Sequence, residues 1–435
     1  MKLDSLTAAA LALVLAALTV PARAQLRLPS LPSLPRPNLP ELSAPLRRDV
    51  PALGELTQLR QRRIGELLRQ RSDVVEADPA GEPVRRGELV LTAPSEALLA
   101  AARADGFGFA RERVLEALEL RIVTLRAPPG WDTRRALQRL REIDPQAAVD
   151  YNHLYLESGD TAAPRAAPSG GPNPPVAAPN GTKVGLIDGG VDSAHAVFRG
   201  TAIQRWGCAG QPVPSAHGTA VASLLVGRAE PFHGAAPAAT LYAADVYCGD
   251  GAGASVDNVA SALAWLLGEQ VAVVNISLVG PANRTLEHVV RRASARGLLL
   301  VAAVGNDGPA APPLYPAAYP EVVGVTGVDA RSQVLPEAGR GPHVAFAAPG
   351  SDMAAAGFAG AAYTRARGTS FAAPLVAGLL AASLHEPDAA KAALAVAALA
   401  RSAIDLGAVG RDAVYGHGLV GRTLRTEPSR VAADR

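Results

Sequence analysis

Lysine is almost missing from this chain: Lys2, Lys183 and Lys391 are its only lysines, and arginine supplies the rest of the 42 basic residues among 435. This is a compositional bias rather than a binding signal. With a net charge of +2 and no basic stripe, nucleic acid is excluded as the main partner. Aromatic residues make up 4%, too few for a base-stacking platform. Beyond Val20 no apolar run is long enough to cross a bilayer. The tract 389–400 is interrupted by Lys391 and reads as a soluble helix. No cysteine follows the N-terminal apolar run, which argues against a bacterial-type lipid anchor.

What is present points to an exported, multi-part chain. Lys2, the apolar run Leu6–Val20 and Ala22-Arg23-Ala24 have the pattern of a signal peptide ending at residue 24. The expected compartment is therefore the periplasm or the medium, with no stable membrane insertion. The cysteine count is two, Cys208 and Cys248, and in an exported protein an even count suggests a disulfide. Residues 25–50 are Pro-rich and read as an extended spacer. Residues 51–85 include a charged helix with Leu53, Leu56, Leu59, Ile64, Leu67 and Leu68 roughly on one side. Residues 86–157 alternate as β-α-β-β-α-β, the split βαβ pattern of a small ferredoxin-like α+β domain. A Pro/Ala/Gly linker follows at 158–181. From 182 to 425, apolar strands at 183–187, 241–246, 271–276 and 298–304 alternate with helical segments. This predicts an α/β domain with a parallel sheet and helices on both faces. Residues 426–435 form a tail.

Four residues carry the chemistry. Ser370, in Arg367-Gly-Thr-Ser-Phe-Ala-Ala-Pro-Leu-Val-Ala-Gly378, sits at the mouth of an apolar helix. The unpaired N–H groups there could hold an oxyanion; the plainer alternative is an N-cap. A nucleophilic serine needs a base. Among eight histidines, His217 alone opens a helix-like framework, His-Gly-Thr-Ala-Val-Ala. Asp188 closes a buried strand before Gly189-Gly190, where a carboxylate could orient that base or simply cap a turn. Asn306 closes another strand and could donate its amide to an oxyanion.

In the order Asp188, His217, Asn306, Ser370, these motifs resemble the subtilisin-like serine peptidases, the subtilase family. Ile-Asp-Gly-Gly-Val-Asp resembles the family's aspartate motif, and Gly-Thr-Ser-Phe-Ala-Ala-Pro its serine motif. Residues 234–246, 274–281 and Tyr415-Gly-His-Gly-Leu-Val are similar to further family segments. The resemblance spans about 183 to 421. It implies a subtilisin-like fold and a serine endopeptidase acting on extended protein or peptide segments. Ser370 is then the nucleophile, His217 the base, Asp188 the orienting group and Asn306 the oxyanion donor. Ser277, Leu278, Val279 and Gly305 bind substrate, and no metal takes part in the reaction. It also makes residues 86–157 similar to a propeptide, a folding aid and intramolecular inhibitor whose C-terminal tail plugs the cleft, in a monomeric zymogen that cuts itself within residues 156–181.

Two departures stand out. Gly189 replaces the family's usual Thr or Ser, and Val279 replaces a glycine beside the primary pocket. The latter implies a shallow pocket for small or medium apolar residues. Calcium, frequent in the family, stays open although no clustered carboxylate loop is recognisable here, and no other cofactor is expected. The alternatives are a catalytically silent binding module of the same fold and an esterase. The absence of G-x-S-x-G around Ser370 disfavours the esterase framework.

Overall fold

The computed structural model describes residues 53–158, 160–161 and 181–432. The signal-like segment, the Pro-rich spacer and nearly all of the linker lie outside the described residues.

Seven strands form one parallel sheet in the order Val344–Pro349, Val322–Val328, Leu299–Ala303, Val273–Ile276, Lys183–Asp188, Thr240–Asp245, Ile203–Trp206. The central strands are apolar on both faces, as in Val184, Leu186 and Ile187, because helices cover both sides. Helices Ala216–Val226 and Thr369–Ala381 share one core with the sheet. Helices Val256–Gly268 and Arg284–Ala295 share the other. Asp188 ends its strand, and Ser277 and Asn306 follow the ends of theirs, at the edge where such sheets bind ligands.

The expected small unit has strands Pro83–Thr92, Gly108–Leu115, Leu120–Arg126 and Ala148–Glu157, with helices Glu96–Ala104 and Thr133–Ile143. Its antiparallel sheet runs in the order fourth, first, third, second strand. The second strand, Gly108–Leu115, shows no clear alternation of apolar and polar residues. Its alternation is hidden in sequence because inward and outward positions both carry long charged side chains. Arg111 reaches Asp257 at 3.0 Å and Arg113 reaches the Asn258 side chain at 3.0 Å.

One face of this sheet packs on its own helices through Leu89, Leu91, Val123 and Leu125. Val90 and Ile122, at alternate positions, instead join the core around helices Val256–Gly268 and Arg284–Ala295. Polar contacts fix the docking. The Asp150 carboxylate accepts the Arg284 N–H at 2.9 Å, in the first turn of that helix. The Asn283 amide donates to the Tyr151 carbonyl at 3.0 Å.

The charged helix spans Leu53–Gln70. Ile64 and Leu67 are buried. Arg60 forks onto Glu82 at 2.7 and 2.6 Å and reaches Asp307 at 3.3 Å. Cys208 and Cys248 form a disulfide between the loops after two neighbouring strands.

Candidate active site

Asp188 is 1% exposed, and its Oδ1 accepts the N–H of Gly189 at 2.7 Å. Both carboxylate oxygens also face Nδ1 of His217, at 2.9 and 3.0 Å. That pairing places the imidazole proton on Nδ1 and leaves Nε2 for another partner. Nε2 is buried with no hydrogen-bond partner among the described residues. Burial alone would lower the pKa of His217. The Asp188 and Glu157 carboxylates, with the backbone of Ser158, outweigh it and raise the value to about 9.

Ser370 lies in the first turn of the helix that Gly368 opens. Gly368 has φ of +132°, a backbone angle that favours glycine. The N-cap Gly368 itself offers no side chain to cap the helix. The Ser370 hydroxyl donates to the Ser277 carbonyl at 3.3 Å, while the Ser277 hydroxyl donates to the Ser370 carbonyl at 3.0 Å. The Phe371 ring lies 5.4 Å from the His217 ring, so the serine helix and the histidine helix meet at this edge. Asn306 accepts the Thr369 N–H at 3.0 Å through Oδ1. The Gly305 N–H donates to Thr369 Oγ1 at 3.2 Å. The sheet edge therefore pairs Asp188 with His217, Ser370 with Ser277, and both Asn306 and Gly305 with Thr369, while among the described residues no hydrogen bond joins the Ser370 hydroxyl to His217.

The propeptide resemblance implied that the C-terminal tail of the small unit plugs the cleft, and that tail lies along the strand expected to bind substrate. Leu278–Val279 pairs antiparallel with the last strand of the small unit, Leu278 opposite Glu157 and Val279 opposite Leu156. The amide of Asn306 donates to the Ser158 hydroxyl at 2.8 Å. Beyond that point Asp160–Thr161 pairs with the strand Tyr363–Arg367. The chain thus runs through the cleft, held on both sides by backbone pairing. Residues 157 and 158 stood at the border between an expected strand and an expected linker, within the stretch 156–181 where the resemblance placed the cut.

The other histidines lie elsewhere; His153, for example, bonds Asp78 at 3.2 Å and Asn283 at 2.9 Å. Among the described residues two groups bring three metal-capable side chains together. One contains the disulfide sulfurs with Asp245, and the other is Glu157, Asp188 and His217. Neither offers the six to eight oxygens that calcium takes, so the residues do not fit that ion.

The profile of the subtilase family matches residues 179–418. The minor extracellular protease Epr of Bacillus subtilis is 32% identical over 221 residues, covering 50% of this chain and 34% of Epr. Subtilisin BL of Lederbergia lenta is 34% identical over 206 residues, covering 46% of this chain and 76% of subtilisin BL. The chain thus spans about a third of Epr's length. Fervidolysin from Fervidobacterium pennivorans, described as a keratinolytic enzyme related to subtilisin, superposes with a TM-score of 0.65 at 20% identity. That superposition covers 80% of this chain and 62% of fervidolysin. Such coverage exceeds the α/β part alone, so the likeness of fold extends into the small unit. By its matched profile, its relatives and its sheet, the chain belongs to the subtilase family.

Proposed function

We propose that this chain is an exported serine endopeptidase made as a precursor that cuts itself after Ser158. The observation that carries this reading is the tail segment 154–157, with Leu156 and Glu157 paired to Val279 and Leu278, Leu154 and Tyr155 paired to Ser255 and Ala254, and Ser158 next, beside Asn306. Backbone pairing along an exposed strand is how an extended peptide is presented for cleavage.

In the proposed reaction the Ser370 hydroxyl turns from the Ser277 carbonyl and attacks the carbonyl carbon of Ser158. Its proton passes to Nε2 of His217, and Asp188 stabilises the resulting imidazolium. The Asn306 amide and the Ser370 N–H steady the oxyanion. Collapse expels the amine of Gly159, which takes the proton from His217. The Ser158–Ser370 ester is then hydrolysed by water. The small unit remains as an inhibitor until it is removed, after which protein or peptide segments take its place. Ser158 is small, which accords with a shallow pocket lined by Val279.

The test is Ser370→Ala in the full chain. The variant stays whole, while the unaltered chain is cut after Ser158 by mass spectrometry and reacts with a fluorophosphonate. Equal cutting of the variant would refute self-processing. A chain that is cut but inert to the probe would point to a silent module processed by another enzyme.

A further inference from the structure

Glu157 is half-buried in the cleft beside the catalytic pair. One of its carboxylate oxygens, one from Asp188 and an imidazole nitrogen of His217 lie within 4.8 Å of one another. The Glu157 carboxylate also lies beside Gly189, at a distance that any Cβ there would accept; the close approach at this glycine is to Ser215. A Cβ there would lie 3.4 Å from the Glu157 Oε1 and 2.3 Å from the Ser215 Oγ. The charged groups facing Glu157 come from four elements. Asp188 ends the central strand, and His217 opens its helix. Asp245 ends the neighbouring strand. Arg63, on the helix Leu53–Gln70, lies beside Glu157 and donates to its backbone carbonyl at 3.4 Å. Glu66 and Tyr247 line the same hollow. Burial raises the pKa of Glu157, as do Asp188 and Asp245, while His217 and Arg63 oppose the rise.

An acyl-transfer histidine works beside one carboxylate, which favours imidazolium only enough to help the serine proton leave. A second carboxylate at this range strengthens the imidazolium further and leaves less neutral base to accept that proton. Resting on the self-processing reading above, we propose that Glu157 is a positioning residue that brakes self-cleavage. Beside Asp188 and His217, its carboxylate favours the imidazolium and so leaves less neutral base to accept the Ser370 proton. The brake belongs to the tail and departs with it, so it acts on the precursor and not on the released enzyme.

The experiment is the rate of self-cleavage of the full chain, refolded from denaturant into buffers from about pH 5 to 10. Glu157→Gln and Glu157→Ala are run beside the unaltered chain and Ser370→Ala. For the unaltered chain the rate climbs across the alkaline range, following deprotonation of His217. In both Glu157 variants the midpoint moves down by about one pH unit, which makes cleavage at pH 7 roughly tenfold faster, and the curves converge at high pH. Variants cut while the unaltered chain stays whole at every pH would also support the brake. An unchanged midpoint with the rate scaled uniformly would overturn the brake alone and leave Glu157 a recognition residue. If Ser370→Ala were cut like the rest, or nothing were cut at any pH, the self-processing reading would fall and the brake with it.

Discussion

Asn306 does two jobs that can be separated by substitution. Its Oδ1 holds the Thr369 N–H, and its amide points at Ser158. Only the amide can serve an oxyanion. Asn306→Asp keeps the acceptor and replaces the donor with a negative charge; Asn306→Ala removes both. Loss of one oxyanion donor lowers kcat by about 100- to 1,000-fold. Alanine should fall in that range on a peptide substrate with KM little changed, and aspartate should be at least as slow. Steady-state kinetics checks this; a kcat within threefold of the unaltered enzyme would remove Asn306 from the oxyanion site. In the proposed reaction His217 sets the pH dependence of the intact chain. Its pKa, about 9, lies above the ordinary 6.5, and the competent form is neutral. Activity that depends on this base therefore appears as pH rises and is lost below that value.

At the scale of elements, the helix Leu53–Gln70 joins the small unit to the rim of the cleft. Arg60 is 12% exposed at the side chain, while Asp307 and Glu82 are 17% and 19% exposed. Burial pushes Asp307 up to about 6, with Arg60 pulling it down and Glu82 pushing it further up. Arg60→Ala leaves two carboxylates without the guanidinium between them. The cost is about 2 kcal/mol, between that of a surface pair and that of a fully buried one. The sign of its pH dependence follows from Asp307. A carboxyl group whose folded pKa is raised favours folding while protonated, and that contribution is lost as pH rises through about 6. The penalty of Arg60→Ala is thus smaller at pH 5 than at pH 8. Denaturant unfolding of the uncut Ser370→Ala chain, with and without the second change, measures it. A difference below about 0.5 kcal/mol at pH 8 would mean that the ion pair contributes nothing.

Across the whole molecule, what could be read in the sequence was local. Asp188, His217, Asn306 and Ser370 each sit where a strand ends or a helix begins, and the residues around them are small. The core strands announced themselves as apolar runs. Glu157 could not be read this way, because its place depends on the tail lying against residues distant in sequence. Asp307 was equally hidden, since nothing near it in sequence names Arg60 as its partner. The disulfide stands between these cases: the even count implied a bond, but only the fold shows what it ties. Cys208 and Cys248 follow the neighbouring parallel strands Ile203–Trp206 and Thr240–Asp245, with a sequence separation of 40. Asp245 turns back between these loops to accept the N–H groups of Tyr247 and Cys248 at 3.0 and 2.8 Å. Closing a loop of that length restricts the unfolded chain by about 3–4 kcal/mol. Replacing both cysteines by serine in the Ser370→Ala chain should lower its unfolding free energy by that order, and a reductant should lower the parent to the same level. The reductant should leave the double variant unmoved. Equal stability of the oxidised and reduced parent chains would show that the bond constrains nothing that folding has not already ordered.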